Sequence, residues 1–437
     1  MPGLPNVSES LHSSRRALRR WAPLLVVATL AVPLAACSSG TSSAAGGDSG
    51  SSSGGTSLDG QCGDVPTMPA NDPDGLVDGL DPTLQEAFNG FTDEVAVSAW
   101  ADLGPMEAPV TVGFLQNDSG STYAQAFAQA IDDSFNAAKS EGVVESLLVE
   151  NPGGAGGQVT PAEQVRAYEQ LVRNGADIII AQPLSGDALT QVVDEAGAAG
   201  IPTVTMTGYV PSEYAINLTP NVYTSNAVPL AHALSDLIGG KGNAVIVQGI
   251  EGMTINTAAV EVAESIIALC PDVKLVGSPA GGFTDVGAKS ALTTFLASHP
   301  EDIDLVYQVA SMGAGVFSAF DDSGRDAPVV VDLLATAASL AWWDRLREEQ
   351  DYTGIATTGG GSLAGEAIFE VALRVIKGEG PAINQFPWPD QLITEENVAD
   401  YIVPGEGTTS VEEVLVPEGG VLYPSDYLDL FFNNPTP

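Results

Sequence analysis

Hydrophobic positions recur along the chain in two alternating rhythms. Val110 to Leu115 is a short, nearly unbroken apolar run, followed by a polar turn from Gln116 to Ser121. Beyond it, Tyr123, Phe127, Ile131, Phe135 and Ala138 fall at steps of four, four, four and three, which puts them on one helical face. The beat repeats. Glu145 to Glu150, Asp177 to Ala181 and Thr203 to Thr207 read as strands, the second as continuously apolar as a strand covered on both faces should be. Thr160-Pro161-Ala162-Glu163 is a helix start, with Thr as N-cap, Pro in the first turn and Glu closing a capping box. Val165, Tyr168 and Val172 form its expected buried stripe, and Gly175 ends it. Asp187 to Ala199 reads as a helix stopped by Gly200, with Pro202 just beyond.

After a less regular patch, Ala227 to Ile238 reads as a helix. Strands follow at Ala244 to Gln248, Lys274 to Gly277, Leu305 to Val309, Val329 to Leu333 and Gly354 to Thr358. Helices near Asn256 to Leu269, Val286 to Ser298, Gly313 to Phe320, Ser339 to Glu349 and Leu363 to Lys377 separate them. No residue-level repeat underlies this, only the rhythm. Strands and helices alternating at this spacing make open parallel sheets with right-handed crossovers, and so many strands divide more naturally into two sheets than one. The expected fold class is α/β, with two doubly wound parallel-sheet lobes. Ligands of such sheets sit beyond the carboxyl ends of the strands, so the turn after Leu115 is the first place to look. Before the rhythm begins, Asp64 to Met106 is rich in Gly, Pro and Asp, with one helical piece near Thr83 to Phe91. It reads as an extension lying on the first lobe.

Length and charge narrow the function. The 437 residues suffice for two domains of roughly 150 residues each plus extensions. Fifteen Lys and Arg stand against 56 Asp and Glu, a formal net charge of −41. Such a surface repels nucleic acid and anionic lipid headgroups, and without a local Arg cluster it disfavours anionic ligands. The Gly153 to Gly157 cluster lacks the following Lys-Ser/Thr of a phosphate loop and reads as a flexible connection. His12, His232 and His299 have no partner spacing, and no metal-ligand cluster or Gly-x-Ser-x-Gly elbow appears. No enzyme, metal or cofactor is therefore expected.

The N-terminus points to export. Arg15, Arg16, Arg19 and Arg20 precede a short apolar run from Trp21 to Ala36, the order of a secretory signal rather than a membrane span. Leu34-Ala35-Ala36-Cys37 resembles a bacterial lipobox, which implies residues 1–36 as signal peptide and Cys37 as a lipidated first mature residue. Ser14 to Leu18 loosely resembles a twin-arginine signal. Residues 37–57 are almost all Ser, Gly, Ala and Thr, a flexible tether with a reach of about 25 Å. Outside the cell, Cys62 and Cys270 either form one disulfide or remain free thiols.

The run from Val110 to Thr207 resembles the first lobe of type I periplasmic binding proteins, the ribose-binding-like branch. VGFLQND, EQVRAYEQLVRNGADIIIAQP and AGAAGIPTVTMTG carry the likeness. LIGGKGNAVIVQGIEG, LVYQVASMGAGVFSAF, GEAIFEVALRVIKGE and LITEENVADYI continue it in the family's order, to about Ile402. The resemblance implies two lobes joined by three crossovers, clamping a small solute. It places residues 110–222 plus 361–391 in lobe one and 223–360 plus 392–437 in lobe two, after an extension at 58–109. It also implies a lipid-anchored solute-binding protein at the outer face of the bacterial cytoplasmic membrane, handing solute to the permease of an ABC importer. Two rivals stay open: a receptor of the same fold signalling to a membrane kinase, and a lipid-anchored α/β hydrolase.

The pocket is where this chain departs from the family's sugar binders. The first turn keeps Asn117 and Asp118. The family's Asp-Arg pair after the fourth strand reads Thr207-Gly208, its helix Arg falls at Asn256 or Thr257, and its Asn-Asp falls at Val309-Ala310, with Gln308 adjacent. Its pre-hinge Asp falls near Leu334, two residues from Asp332, and its crossover Gln at Gly360. Losing these groups removes the bidentate partners of sugar hydroxyls, and a buried hydroxyl without a partner costs roughly 1–3 kcal/mol. The expected ligand is uncharged, carbohydrate-like or less polar. Candidate contacts are Asn117, Asp118, Ser121, Tyr123, Gln182 and Thr207 on lobe one, and Met253, Asn256, Phe283, Gln308, Ser311 and Asp332 on lobe two. Asn117, Asp118 and Ser121 equally suit helix capping, Tyr123 the core stripe, Ser185 a turn, and Met253, Phe283 and Met312 the core. Of the adjacent Trp342 and Trp343, at most one is expected to face the core.

Overall fold

The computed structural model describes residues 62–116, 122–153, 159–251, 254–389, 391–410, 414 and 420–435. Cys37 and the whole tether lie outside them. Twelve strands follow in chain order: β1 (Val110–Leu115), β2 (Val144–Glu150), β3 (Ile178–Ala181), β4 (Thr203–Met206), β5 (Ala215–Thr219), β6 (Lys241–Val247), β7 (Asp272–Gly277), β8 (Leu305–Gln308), β9 (Val329–Asp332), β10 (Ile355–Thr357), β11 (Gln385–Pro387) and β12 (Leu392–Ile393). They form two six-stranded sheets, in the orders β11-β5-β4-β3-β1-β2 and β12-β10-β9-β8-β6-β7. The pairings are parallel except the antiparallel β10–β12.

Between the strands run α1 (Pro82–Ala87), α2 (Thr122–Ser140), α3 (Pro161–Arg173), α4 (Gly186–Ala198), α5 (Val222–His232), α6 (Thr254–Ile267), α7 (Asp285–Ser298), α8 (Gly313–Ser323), α9 (Ala337–Gln350) and α10 (Gly361–Ile376), with α11 (Ser425–Asp429) near the C-terminus. The chain leaves the first sheet between β5 and β6, returns between β10 and β11, and leaves again between β11 and β12. Because α10 packs against α2, the return is already complete at Gly361.

The first lobe has a core on each face of its sheet. Alternation along β3 makes the division: Ile178 and Ile180 face α2 and α10, while Ile179 and Ala181 face α3 and α4. On α2, Phe127, Ile131, Phe135 and Ala138 are buried as the spacing predicts, each large side chain stabilising the fold by about 1.5–3 kcal/mol. The α3 capping box forms, with Thr160 accepting from the Glu163 amide and Glu163 from the Thr160 amide. Its stripe is turned from the expected one. Gln164, Ala167, Tyr168 and Leu171 are buried, and Val165 and Val172 sit at the margin. Gln164 takes the central place because its amide donates to Gln182 O at 2.7 Å and accepts from Leu184 N at 2.8 Å, tying α3 to the loop after β3.

Several expectations need correction. Trp342 and Trp343 are both buried. The α9 helix packs beside α8, where Trp342 stacks near Phe317, while Trp343 meets Tyr352 edge-on. The less regular patch after Thr207 contains β5, whose Asn217 is wholly buried but accepts from Thr205 Oγ1 and Val210 N. Helix α5 starts at Val222 rather than Ala227, because Asn221 caps it through the Tyr223 amide. The stretch from Leu422 to Phe432, expected with the second lobe, packs on the first. Phe431 stacks on Phe386 of β11 at 4.3 Å, and Tyr427 Oη donates to Pro387 O at 3.0 Å. Tyr423, Tyr427, Phe431 and Phe432 join the apolar core beside β11, whereas β12, Val398 and Tyr401 stay with the second lobe. The extension is divided too: Cys62 and Val65 pack on the second core, and Leu84 to Trp100 on the first.

Candidate functional site

Each sheet grows first one way and then the other from an early strand. β1 lies between β2 and β3, and β6 between β7 and β8. At such a reversal the connections diverge to opposite faces and leave a crevice beyond the carboxyl ends of the two strands. All four strands at these points end on glutamine: Gln116 after β1, Gln182 after β3, Gln248 after β6 and Gln308 closing β8. A carboxamide can donate and accept but carries no charge.

Three of the four are held by their own lobe. Gln116 accepts from Asn151 Nδ2 at 3.1 Å. Gln248 donates to Ser278 at both its carbonyl (3.0 Å) and its hydroxyl (2.9 Å), with Asn256 Nδ2 at 3.4 Å from its oxygen. Gln308 donates to Asp332 Oδ1 at 2.6 Å and Leu333 O at 2.8 Å, and accepts from Met312 N at 3.1 Å. Gln182 differs: it is 2% exposed, and its Oε1 has no hydrogen-bond partner among the described residues.

A second feature marks the same edges. Thr207, Phe283, Ser311 and Leu334 have φ of 64°, 58°, 53° and 52°, in the left-handed region that β-branched and bulky residues avoid. All four stand in loops that follow a strand's carboxyl end. Each such residue costs about 1–3 kcal/mol and persists where its surroundings over-determine it, a pattern found at ligand clamps. The surroundings are visible. Thr207 N donates to Leu218 O, Ser311 N to Leu333 O, and Leu334 N to Thr357 Oγ1. Phe283 lies flat against Gly249, where a Cβ would stand 2.0 Å from the ring, so only glycine lets the ring reach the end of β6.

The charge pattern is one-sided. No Lys or Arg stands in any segment joining a strand's carboxyl end to the next element. On the second lobe the carboxylates there include buried Asp332 and half-buried Asp285. Burial raises Asp332 to about 7, against the opposing hydrogen bonds from Ser339 and Gln308. Burial also raises Asp285, against the Gly315 amide that donates to it at 2.8 Å. The strand-end segments therefore offer amides and a partly neutral Asp332 but no Lys or Arg.

The predicted contacts fall into four groups. Asn117, Asp118, Ser121 and Met253 lie outside the described residues. Gln182, exposed Thr207, half-buried Phe283 and half-buried Ser311 stand at the two carboxyl edges. Asn256, Gln308 and Asp332 are buried and bonded internally, Asn256 Oδ1 accepting from Gly249 N at 2.7 Å. Tyr123 is half-buried, with its ring stacked toward Phe127 at 6.2 Å. Gln248 and Asn151 were not singled out from the sequence. The recurring endings VGFLQ, IIIAQ, AVIVQ and LVYQ are the signal that points to Gln248.

Residues 112–380 match the family model described as a periplasmic binding protein domain. The chain belongs to that family. Among the family's curated members, it is 27% identical over 222 residues to the xylitol-binding protein of Mycolicibacterium smegmatis, covering 50% of this chain and 61% of that one. It is 25% identical over 236 residues to the galactofuranose-binding protein of Escherichia coli, covering 52% and 71%. The chain thus spans less than two thirds of the mycobacterial relative. Among solved structures, an ABC transporter solute-binding protein of Thermobispora bispora superposes with a TM-score of 0.56 at 23% identity, over 72% of this chain and 91% of that one. The fold is the type I periplasmic binding protein fold expected from the sequence.

Proposed function

We propose that this periplasmic binding protein captures a small uncharged polyol or sugar-like solute between the carboxyl edges of its two sheets. The observation that carries the reading is the pair of switch points lined by carboxamides with no cation in any neighbouring loop. Anionic solutes lack a counter-charge there, while hydroxyls meet groups that donate and accept. The curated relatives, named for xylitol and galactofuranose, support the same class. The Phe283 ring suits the less polar face of such a solute, in keeping with the missing Asp-Arg pair at Thr207-Gly208.

Capture shifts an open–closed equilibrium by bridging the lobes, and no bond in the solute is made or broken. The closed form delivers its cargo to an ABC importer permease. Export and lipidation at Cys37 hold the protein at the outer face of the cytoplasmic membrane. Asn117, Asp118, Ser121, Tyr123, Gln182, Thr207, Met253, Phe283 and Ser311 supply the contacts, and Asn256, Gln308 and Asp332 position them.

Thermal-shift titration with xylitol, D-ribose and D-ribose 5-phosphate tests the class. A melting temperature that rises with neutral solute concentration and ignores the phosphate is expected. Stabilisation by the phosphate alone would overturn it. Detergent-phase partitioning of the Cys37→Ala variant against wild type tests the anchor.

A further inference from the structure

The segment before β1 touches both lobes and the crossover between them. At its start, Cys62 is disulfide-bonded to Cys270, a buried residue in the turn between α6 and β7, with Cα atoms 4.2 Å apart. Gly63 N donates to Leu269 O at 2.8 Å, and Val65 joins the second-lobe core. The segment then meets the β5–α5 crossover. Tyr223 Oη donates to Pro66 O at 2.7 Å, and Asn221 Nδ2 donates to both Ala87 O and Asn89 O at 2.8 Å. The Tyr223 ring lies on Gly90, where a Cβ would be 2.7 Å from it. Farther on, Leu84, Phe88, Phe91 and Val95 enter the first-lobe core. Ala96 N donates to Asn384 Oδ1 at 2.8 Å, Asn384 N to Ala96 O at 3.0 Å, and Gln385 Nε2 to Glu94 O at 3.0 Å.

We infer that residues 62–100 form a strap across the hinge that restrains the opening of the two lobes. Three crossovers already join the lobes. The strap is a fourth connection, covalent at its second-lobe end, hydrogen-bonded and packed at its first-lobe end, and clamped midway on Asn221 and Tyr223. Rotation of one lobe on the other must shear these contacts. The inference needs two lobes that move and is independent of which solute they hold.

Small-angle scattering and amide hydrogen exchange of the unliganded protein test it. The Cys62→Ser/Cys270→Ser variant is expected to show a larger maximum dimension and about fivefold or faster exchange at the Tyr223 and Trp388 amides, while core amides of β3 and β8 keep their protection. Tyr223→Phe, which removes only the bond to Pro66, is expected to move both readouts the same way by less. Should the double variant fail to fold, Gly90→Ala, which pushes the strap off Tyr223, decides the matter with the same readouts. Scattering and exchange superimposable on wild type in folded variants would overturn the strap.

Discussion

Beyond β8, every polar atom of the Gln308 carboxamide is engaged inside its own lobe, whereas beyond β3 the Gln182 oxygen has no partner among the described residues. Both stand at the switch point of a six-stranded parallel sheet, Gln308 as the last residue of β8 and Gln182 one residue past the end of β3. The difference lies in what surrounds them. The second lobe supplies Asp332, the Leu333 carbonyl and the Met312 amide around Gln308. Among the described residues, the first supplies no partner to Gln182 Oε1. A satisfied buried amide rigidifies its surroundings, while an unsatisfied one costs about 1–3 kcal/mol until something bonds to it. On the proposed reading, Gln308 positions the second edge while the Gln182 oxygen keeps bonding capacity for a solute.

Four expected outcomes sharpen or break that contrast. The largest belongs to Gln308→Ala, which strips three hydrogen bonds and leaves buried Asp332 without the donor at 2.6 Å. Urea unfolding should show a loss of about 3 kcal/mol, and a loss below about 1 would mean that the second edge is not a locked framework. Gly249→Ala should follow. Its methyl drives into the Phe283 ring, destabilising the fold by about 1–3 kcal/mol and weakening solute binding through the displaced ring. Wild-type binding and stability together would remove the ring from the site.

Gln182→Leu should separate folding from binding. Stability is expected to hold within about 0.5 kcal/mol or improve, since an unpaired polar atom is removed, while calorimetric affinity for a bound polyol such as xylitol falls about tenfold. The reverse pattern would make Gln182 a framework residue like its counterpart. The smallest effect is one of pH. Burial holds Asp332 near 7, well above its ordinary value of 3.8, so the folded protein binds a proton that the unfolded chain has released. Stability from this group is therefore full below about pH 4 and declines as pH rises toward 7. Asp93, raised to about 6 by burial, adds in the same direction. Asp332→Asn should flatten the fall in unfolding free energy between pH 4 and 7, and an unchanged slope would place its origin at Asp93 or elsewhere.

Much of the architecture was legible from local pattern. The α2 stripe and the α3 capping box are short-range features, and the periodicities of helix and strand declare them directly. The strands β5 and β11 escaped that reading for identifiable reasons. β5 carries a buried Asn217 at its centre, a residue that strands disfavour until Thr205 and Val210 satisfy it. β11 has three residues and includes a proline, too few to show any period.

The site was legible at its location and less so in its roles. The strand endings told where to look, because a parallel sheet presents its carboxyl ends to ligands whatever the residues are. That Gln308 and Asp332 bond to each other could not be read locally, since they stand 24 residues apart on neighbouring strands. The burial of both Trp342 and Trp343 likewise follows from the distant partners they meet, Phe317 for Trp342 and Tyr352 for Trp343, which no property of the helix announces.

By itself the sequence determined the α/β rhythm, the two parallel sheets, the absence of cations at the strand ends and the family, because each depends on residue type and spacing along the chain. The tertiary structure alone decided which amides are spent within a lobe and which stay open, where the C-terminal aromatics dock, and that the leading segment grips both lobes through Cys62, Asn221 and Asn384. Those outcomes depend on which distant surfaces meet, and an interaction between positions 62 and 270 or 96 and 384 leaves no periodic trace in the chain that carries it.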